Sequence, residues 1–340
     1  MIDSTVLSTV DWERPGKQFG HLQLPASTNA GGWSNPFIPA VCVRNGNGPT
    51  ALVIGGVHGD EPEGQVAAFN LAREVRPEDV RGRLIILPCM SPDASRAYTR
   101  LSPTGVDFNR SFPGSPTGPP DRLLADYVTR ALFPLADAVL DVHSGGRSSL
   151  HLPWSEMHWV EDRAQRRAMV DAMLAFGTPY HVIYIDIGGT GLLVGEAERQ
   201  GKVTIGTELG GGGYTTAEIH RMAAFGVRNF LRHVGVLAGP VETRAARGLP
   251  DGVILKAVDR DDYTLAPESG LFEALVMLGE PVRKGQAVGR IHFIERPERI
   301  PVDVTAQSAG TVCVVRAIAT TRQGDCVAVV GQRCSRDELL

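Results

Sequence analysis

The feature that most constrains this chain is an alternation of short apolar runs with segments of helical spacing. Residues 50–54, 83–88, 138–142, 181–186 and 202–206 are runs of buried-strand length. Between and after them, residues 62–75, 122–132 and 161–176 read as helices, and Ile219, Met222, Ala223, Gly226, Val227, Phe230 and Leu231 form one stripe of a longer helix. Residues 1–50 read as a β-rich lead-in. Strands and helices in turn predict an α/β layer fold with a largely buried sheet. In such sheets, binding sites lie beyond the strand ends, and here the polar, glycine-rich loops collect there.

The bulk properties narrow the classes. A chain of 340 residues with 43% hydrophobic and 21% charged residues is ordinary for a globular protein and long enough for two domains. A formal net charge of −4 gives no reason to expect nucleic acid or an anionic membrane as partner. No run of 18 apolar residues and no basic-then-apolar leader is visible, so a cytoplasmic setting is the expectation. The five cysteines (Cys42, Cys89, Cys313, Cys326 and Cys334) are scattered and odd in number. They indicate neither a disulfide framework nor a cysteine metal site, so a metal would need histidine and carboxylate.

Such a set is present. His58 and Glu61 lie in the glycine-flanked stretch Gly55-Gly-Val-His58-Gly-Asp-Glu61, just after the first apolar run. His143 ends another, in Asp141-Val-His143-Ser-Gly-Gly. Two histidines and a glutamate are one of the ligand sets of catalytic zinc, which keeps a further position open. Pro62 disfavours helical backbone at Glu61 and makes it the cap where loop gives way to helix. Glu208 follows the run 202–206, at a strand end, where a carboxylate beside activated water can accept and return a proton.

Together, Gly55–Glu61, Asp107-Phe-Asn109-Arg110, Asp141–Gly146 and Thr207-Glu208-Leu-Gly-Gly resemble, in order, the motifs of the succinylglutamate desuccinylase/aspartoacylase family, zinc deacylases with a carboxypeptidase-like fold. Within it the chain looks most like the bacterial branch that deacetylates N-alpha-acetyl-L-2,4-diaminobutyrate in ectoine breakdown. The resemblance implies one zinc ion per chain held by His58, Glu61 and His143. It makes Glu208 the proton shuttle, Asn109 and Arg110 the grip on a substrate carboxylate, and Arg100 the group that steadies the oxyanion, with Arg96 as a neighbouring candidate. It implies a small N-acyl amino acid as substrate. Tyr214, after the glycine run, is a further candidate for substrate contact, and Asp186 and Glu196 for recognition of a cationic side chain. His151, His158, His181 and His220 have no partner at ligand spacing.

The expected architecture is thus a carboxypeptidase-like mixed sheet flanked by helices over residues 1–240, followed by a small all-β barrel or sandwich over 241–340. In the second part Gly270 and Gly310, and then Gly285 and Gly324, recur at nearly the same offset. The repeat resembles a biotinyl/lipoyl-type barrel, yet Lys284 is its only lysine and has no carrier-type surroundings. A structural role follows, narrowing access to the site or joining subunits into a homo-oligomer. The rival readings are a metallocarboxypeptidase acting on peptides and a non-catalytic binding protein.

Overall fold

The apolar runs become neighbouring strands of one large mixed sheet in the computed structural model of the chain, which describes residues 4–28, 31–187 and 189–340. The strands that matter for the site are β1 (Gly16–Gln23), β2 (Phe37–Asn45), β3 (Thr50–Gly55), β4 (Gly82–Leu87), β5 (Ala138–His143), β6 (Trp154–His158), β7 (Tyr180–Tyr184), β8 (Val203–Glu208) and β9 (Val253–Ala257). Across the sheet they lie in the order β1-β2-β4-β3-β5-β8-β6-β7-β9. The centre, β4-β3-β5-β8, is parallel. Strand β6 then runs antiparallel to β8 and parallel to β7.

The central strands are continuously apolar because both faces are covered. Val53, Leu84, Ile86, Leu140 and Ile205 pack on one face under α1 (Pro62–Glu74), α2 (Arg163–Phe176) and α3 (Ala217–His233). Leu52, Ile54, Ile85, Leu87 and Val139 point the other way, against Leu123, Leu124, Val128, Phe133 and Leu193. The last of these opens the helix Leu193–Arg199. The helix expected over 122–132 is shorter. It runs from Pro120 to Tyr127, widens into a π turn over Val128–Leu132 and tightens at Phe133–Leu135, where Pro134 offers no N–H to a regular ladder.

Past position 240 the main sheet continues. Strand β9 pairs in parallel with β7, and Cys326–Arg333 pairs antiparallel with β9. A separate four-stranded sheet is built from Val302–Thr305, Ala287–His292, Gly270–Ala274 and Thr320–Thr321. Together with Gly310–Arg316 and Cys326–Arg333 it encloses a core of Phe272, Val288, Ile291, Val304, Val312 and Val327. The repeat has a backbone counterpart, since Gly285 and Gly324 both take left-handed φ, +82° and +90°. Among the described residues, no helix is long and apolar enough to cross a membrane.

Helices α2 and α3 meet at Gly226, where an added Cβ would fall 2.0 Å from a ring carbon of the fully buried Phe176. Gly226→Ala is expected to overpack this contact and to lose about 1–3 kcal/mol of stability. Thermal unfolding checks it, and an unchanged Tm would contradict the close approach of the two helices.

Candidate metal centre

Strands β3, β5 and β8 are adjacent and parallel, so their ends deliver three loops to one place. His58 comes from the loop after β3, His143 is the last residue of β5, and Glu208, the last residue of β8, is directly opposite His143 in register. Helix α1 seats tightly on β5, because a Cβ on Gly64 would lie 2.3 Å from the carbonyl oxygen of Val142. That contact brings Glu61, the residue before α1, against His143. Glu61 has non-helical backbone (φ −118°, ψ 78°), Pro62 follows it, and its side chain caps no N–H of the helix.

Instead, the Glu61 carboxylate lies between two imidazoles. Its Oε1 is 2.7 Å from Nδ1 of His58 and its Oε2 is 2.7 Å from Nδ1 of His143. The backbone N–H of Ser144 also donates to Oε2, at 3.2 Å. All three side chains are buried. On the far side of each ring stands a second carboxylate: Asp107 Oδ1 is 3.2 Å from Nε2 of His58, and Asp141 Oδ2 is 2.8 Å from Nε2 of His143. Burial alone would push the His143 pKa down, but Asp141 and Glu61 outweigh it and hold the imidazole well above its usual value. Burial likewise opposes ionisation of Glu61, and the two histidines override it and hold the carboxyl well below the usual range.

This donor set fits a divalent cation. Each ring faces acceptors at both nitrogens, and a neutral imidazole has only one N–H. A cation held by His58, Glu61 and His143 would leave each ring one N–H to donate to the aspartate behind it, as histidine metal ligands commonly do. The three candidate ligand atoms lie within 4.8 Å of one another.

The remaining residues border a cavity of about 330 Å³. Arg100 reaches in from beyond the helix Pro92–Ala97, with Nη1 3.6 Å from Glu61 and Nη2 3.2 Å from Asp107. Arg96 pairs with Asp93 at the surface instead, which leaves Arg100 as the arginine at the centre. Asn109 and Arg110 line the cavity, Asn109 accepting from the N–H of Leu193 (2.9 Å) and Arg110 lying 3.4 Å from Asp186. Burial, together with the charges of Glu156 and Glu61, raises the Glu208 carboxyl well above the ordinary range, as suits a group that exchanges a proton.

Tyr214 stands elsewhere, largely exposed on a neighbouring groove with Leu150, Thr216 and Ile219. Glu196 is engaged by Arg199 and borders an adjoining recess, whereas Asp186 does reach the cavity. Several lining residues were not anticipated from sequence. His151 is one, with Nε2 2.9 Å from Ser149 Oγ and burial lowering its pKa to about 4, so that it is a neutral wall of the cavity. Glu156 and Tyr184 are others, and Tyr263, Cys313, Val314 and Cys326 contribute a wall from the C-terminal strands. Alternation along Trp154-Ser-Glu156 was the available signal for Glu156, and it needs the strand order to be read.

Comparison with known proteins places this geometry in a family. The profile of the succinylglutamate desuccinylase/aspartoacylase catalytic domain matches residues 47–234, and the chain belongs to that family. Over 332 residues, 97% of this chain and 95% of the relative, it is 40% identical to N-alpha-acetyl-L-2,4-diaminobutyric acid deacetylase of Halomonas elongata. It superposes on the product-bound ectoine utilization protein EutE (DoeB) of Ruegeria pomeroyi with a TM-score of 0.92, at 40% identity and with 98% and 100% of the two chains covered. A succinylglutamate desuccinylase/aspartoacylase from Rhodobacter sphaeroides gives the same TM-score, identity and coverage.

If Asp141 sets the proton position on His143, Asp141→Asn weakens metal binding by about 10–100-fold without unfolding the chain. Competition with a chromogenic chelator measures this, and unchanged affinity would contradict the role.

Proposed function

We propose that this protein is a zinc-dependent amidohydrolase that removes the acetyl group from a small N-acetylated amino acid, with N-alpha-acetyl-L-2,4-diaminobutyrate as the substrate indicated by its relatives. The observation that carries the reading is the buried Glu61 held between two carboxylate-backed histidines, with Glu208 opposite His143 at the adjacent strand end. Zinc bound there supplies Lewis acidity to polarise an amide carbonyl and to make water nucleophilic near neutral pH.

The chain's own residues do the rest. Glu208, at the end of the strand next to His143, takes the proton of the attacking water and delivers it to the leaving amine. The guanidinium of Arg100 faces the same centre and stabilises the negative charge that develops on the carbonyl oxygen. Arg110 offers a planar fork to the α-carboxylate of the substrate. Asn109, whose Oδ1 is engaged by Leu193, has its amide N–H groups to add to that grip. A cavity of about 330 Å³ with a wall of C-terminal strands supports a small acylated amino acid over a peptide.

Glu208→Gln separates chemistry from metal binding. The variant is expected to retain its metal and to lose about 100-fold or more in kcat toward N-alpha-acetyl-L-2,4-diaminobutyrate. Metal analysis alongside steady-state kinetics checks both halves, and full turnover in the variant would contradict the mechanism.

A further inference from the structure

The charges that line the cavity can be paired one by one. Arg100 is engaged by Asp107 and Glu61, Arg110 by Asp186, and the two ligand histidines by Glu61 and their aspartates. Glu208 faces Nδ1 of His151 at 3.9 Å. One acid is left over. Glu156 is 7% exposed, lines the cavity, and has no lysine, arginine or histidine nitrogen within 4.0 Å among the described residues. A buried carboxylate without a cationic partner is costly to hold, and its retention at a cavity wall points to a ligand that brings the charge.

The carboxylate is also oriented. Trp154 Nε1 donates to Glu156 Oε2 at 2.6 Å, and the other oxygen lies over Gly206, where an added Cβ would stand 3.1 Å from Oε1. Gly206 is Glu156's register partner on the antiparallel neighbour β8. The absence of a side chain there leaves the space that the carboxylate and a ligand group would share. Trp154 is opposite Glu208 and Glu156 opposite Gly206, so Glu156 and Glu208 stand on one face as diagonal neighbours, about 7–8 Å apart at Cα. A short amino acid whose amine is released at Glu208 therefore carries its side chain toward Glu156.

We infer that Glu156 is the specificity determinant that receives the side-chain ammonium of a short N-acetylated diamino acid, an assignment that rests on the deacylase reading above. Arg110 takes the α-carboxylate, Glu208 serves the acylated α-nitrogen, and Glu156 fixes the free amine. The three groups together select a zwitterionic amino acid with a cationic side chain over one with a neutral side chain of equal length.

The test compares two substrates, N-alpha-acetyl-L-2,4-diaminobutyrate and N-acetyl-L-norvaline, in which a methyl replaces the ammonium. The zinc-loaded wild type is expected to prefer the first by about 30-fold or more in kcat/KM. Glu156→Gln should remove most of that preference, through a much larger fall in kcat/KM for the diamino substrate than for the norvaline substrate, with the zinc content unchanged. L-2,4-diaminobutyrate should inhibit wild type more strongly than L-norvaline, a readout that needs no variant. Equal kcat/KM for the two substrates in wild type, or an equal loss on both in Glu156→Gln, would overturn the assignment. Loss of both acetyl hydrolyses in zinc-loaded wild type would instead remove the deacylase reading, and this assignment with it.

Discussion

The interaction on which the site depends is the bridge that Glu61 makes between His58 and His143. Three side chains that carry or accept charge are buried together, and two more carboxylates, Asp107 and Asp141, stand behind them. Without a compensating charge, such a cluster is expensive to desolvate. A divalent cation held by His58, Glu61 and His143 would supply that charge and leave each ring an N–H for the aspartate behind it. The backbone is shaped to keep the bridge in place. Pro62 starts α1, Gly64 lets that helix approach β5, and Glu61 remains outside the helical ladder where its carboxylate can face both strands.

Around this bridge, the strand order sets the chemistry. Because β5 and β8 are parallel neighbours with His143 and Glu208 in register, Glu208 is fixed beside His143. Because β6 runs antiparallel on the other side of β8, Trp154 and Glu156 fall on the same face as Glu208 and extend the cavity sideways. The C-terminal strands then bring Tyr263, Cys313 and Val314 over it. Residues far apart in sequence thus meet through register, and a cavity suited to a small substrate results.

That division explains what the amino-acid sequence revealed and what it hid. The central strands were legible because burial on both faces leaves unbroken apolar runs, and α3 because its stripe has helical period. His58, Glu61 and His143 were legible because each sits beside glycines at the end of such a run. Strand β6 was not, since Trp-Ser-Glu-Met-His mixes polar with apolar residues, and Ser155 is satisfied internally by Met173 and Thr178. The cavity role of Glu156 and the wall formed by His151 depend on which strands are neighbours. Tyr214 leaves the cavity because four successive glycines, Gly210–Gly213, all with left-handed φ, fold the chain back on Gly145 and Ser149 and turn the tyrosine outward.

The most direct measurement is anomalous diffraction at the zinc edge from crystals of the purified protein, paired with its metal content. The expected result is one zinc per chain, with the anomalous peak between Nδ1 of His58, Nδ1 of His143 and the carboxylate of Glu61. Full deacetylase activity in protein stripped of metal, or a peak anywhere else in the chain, would contradict it.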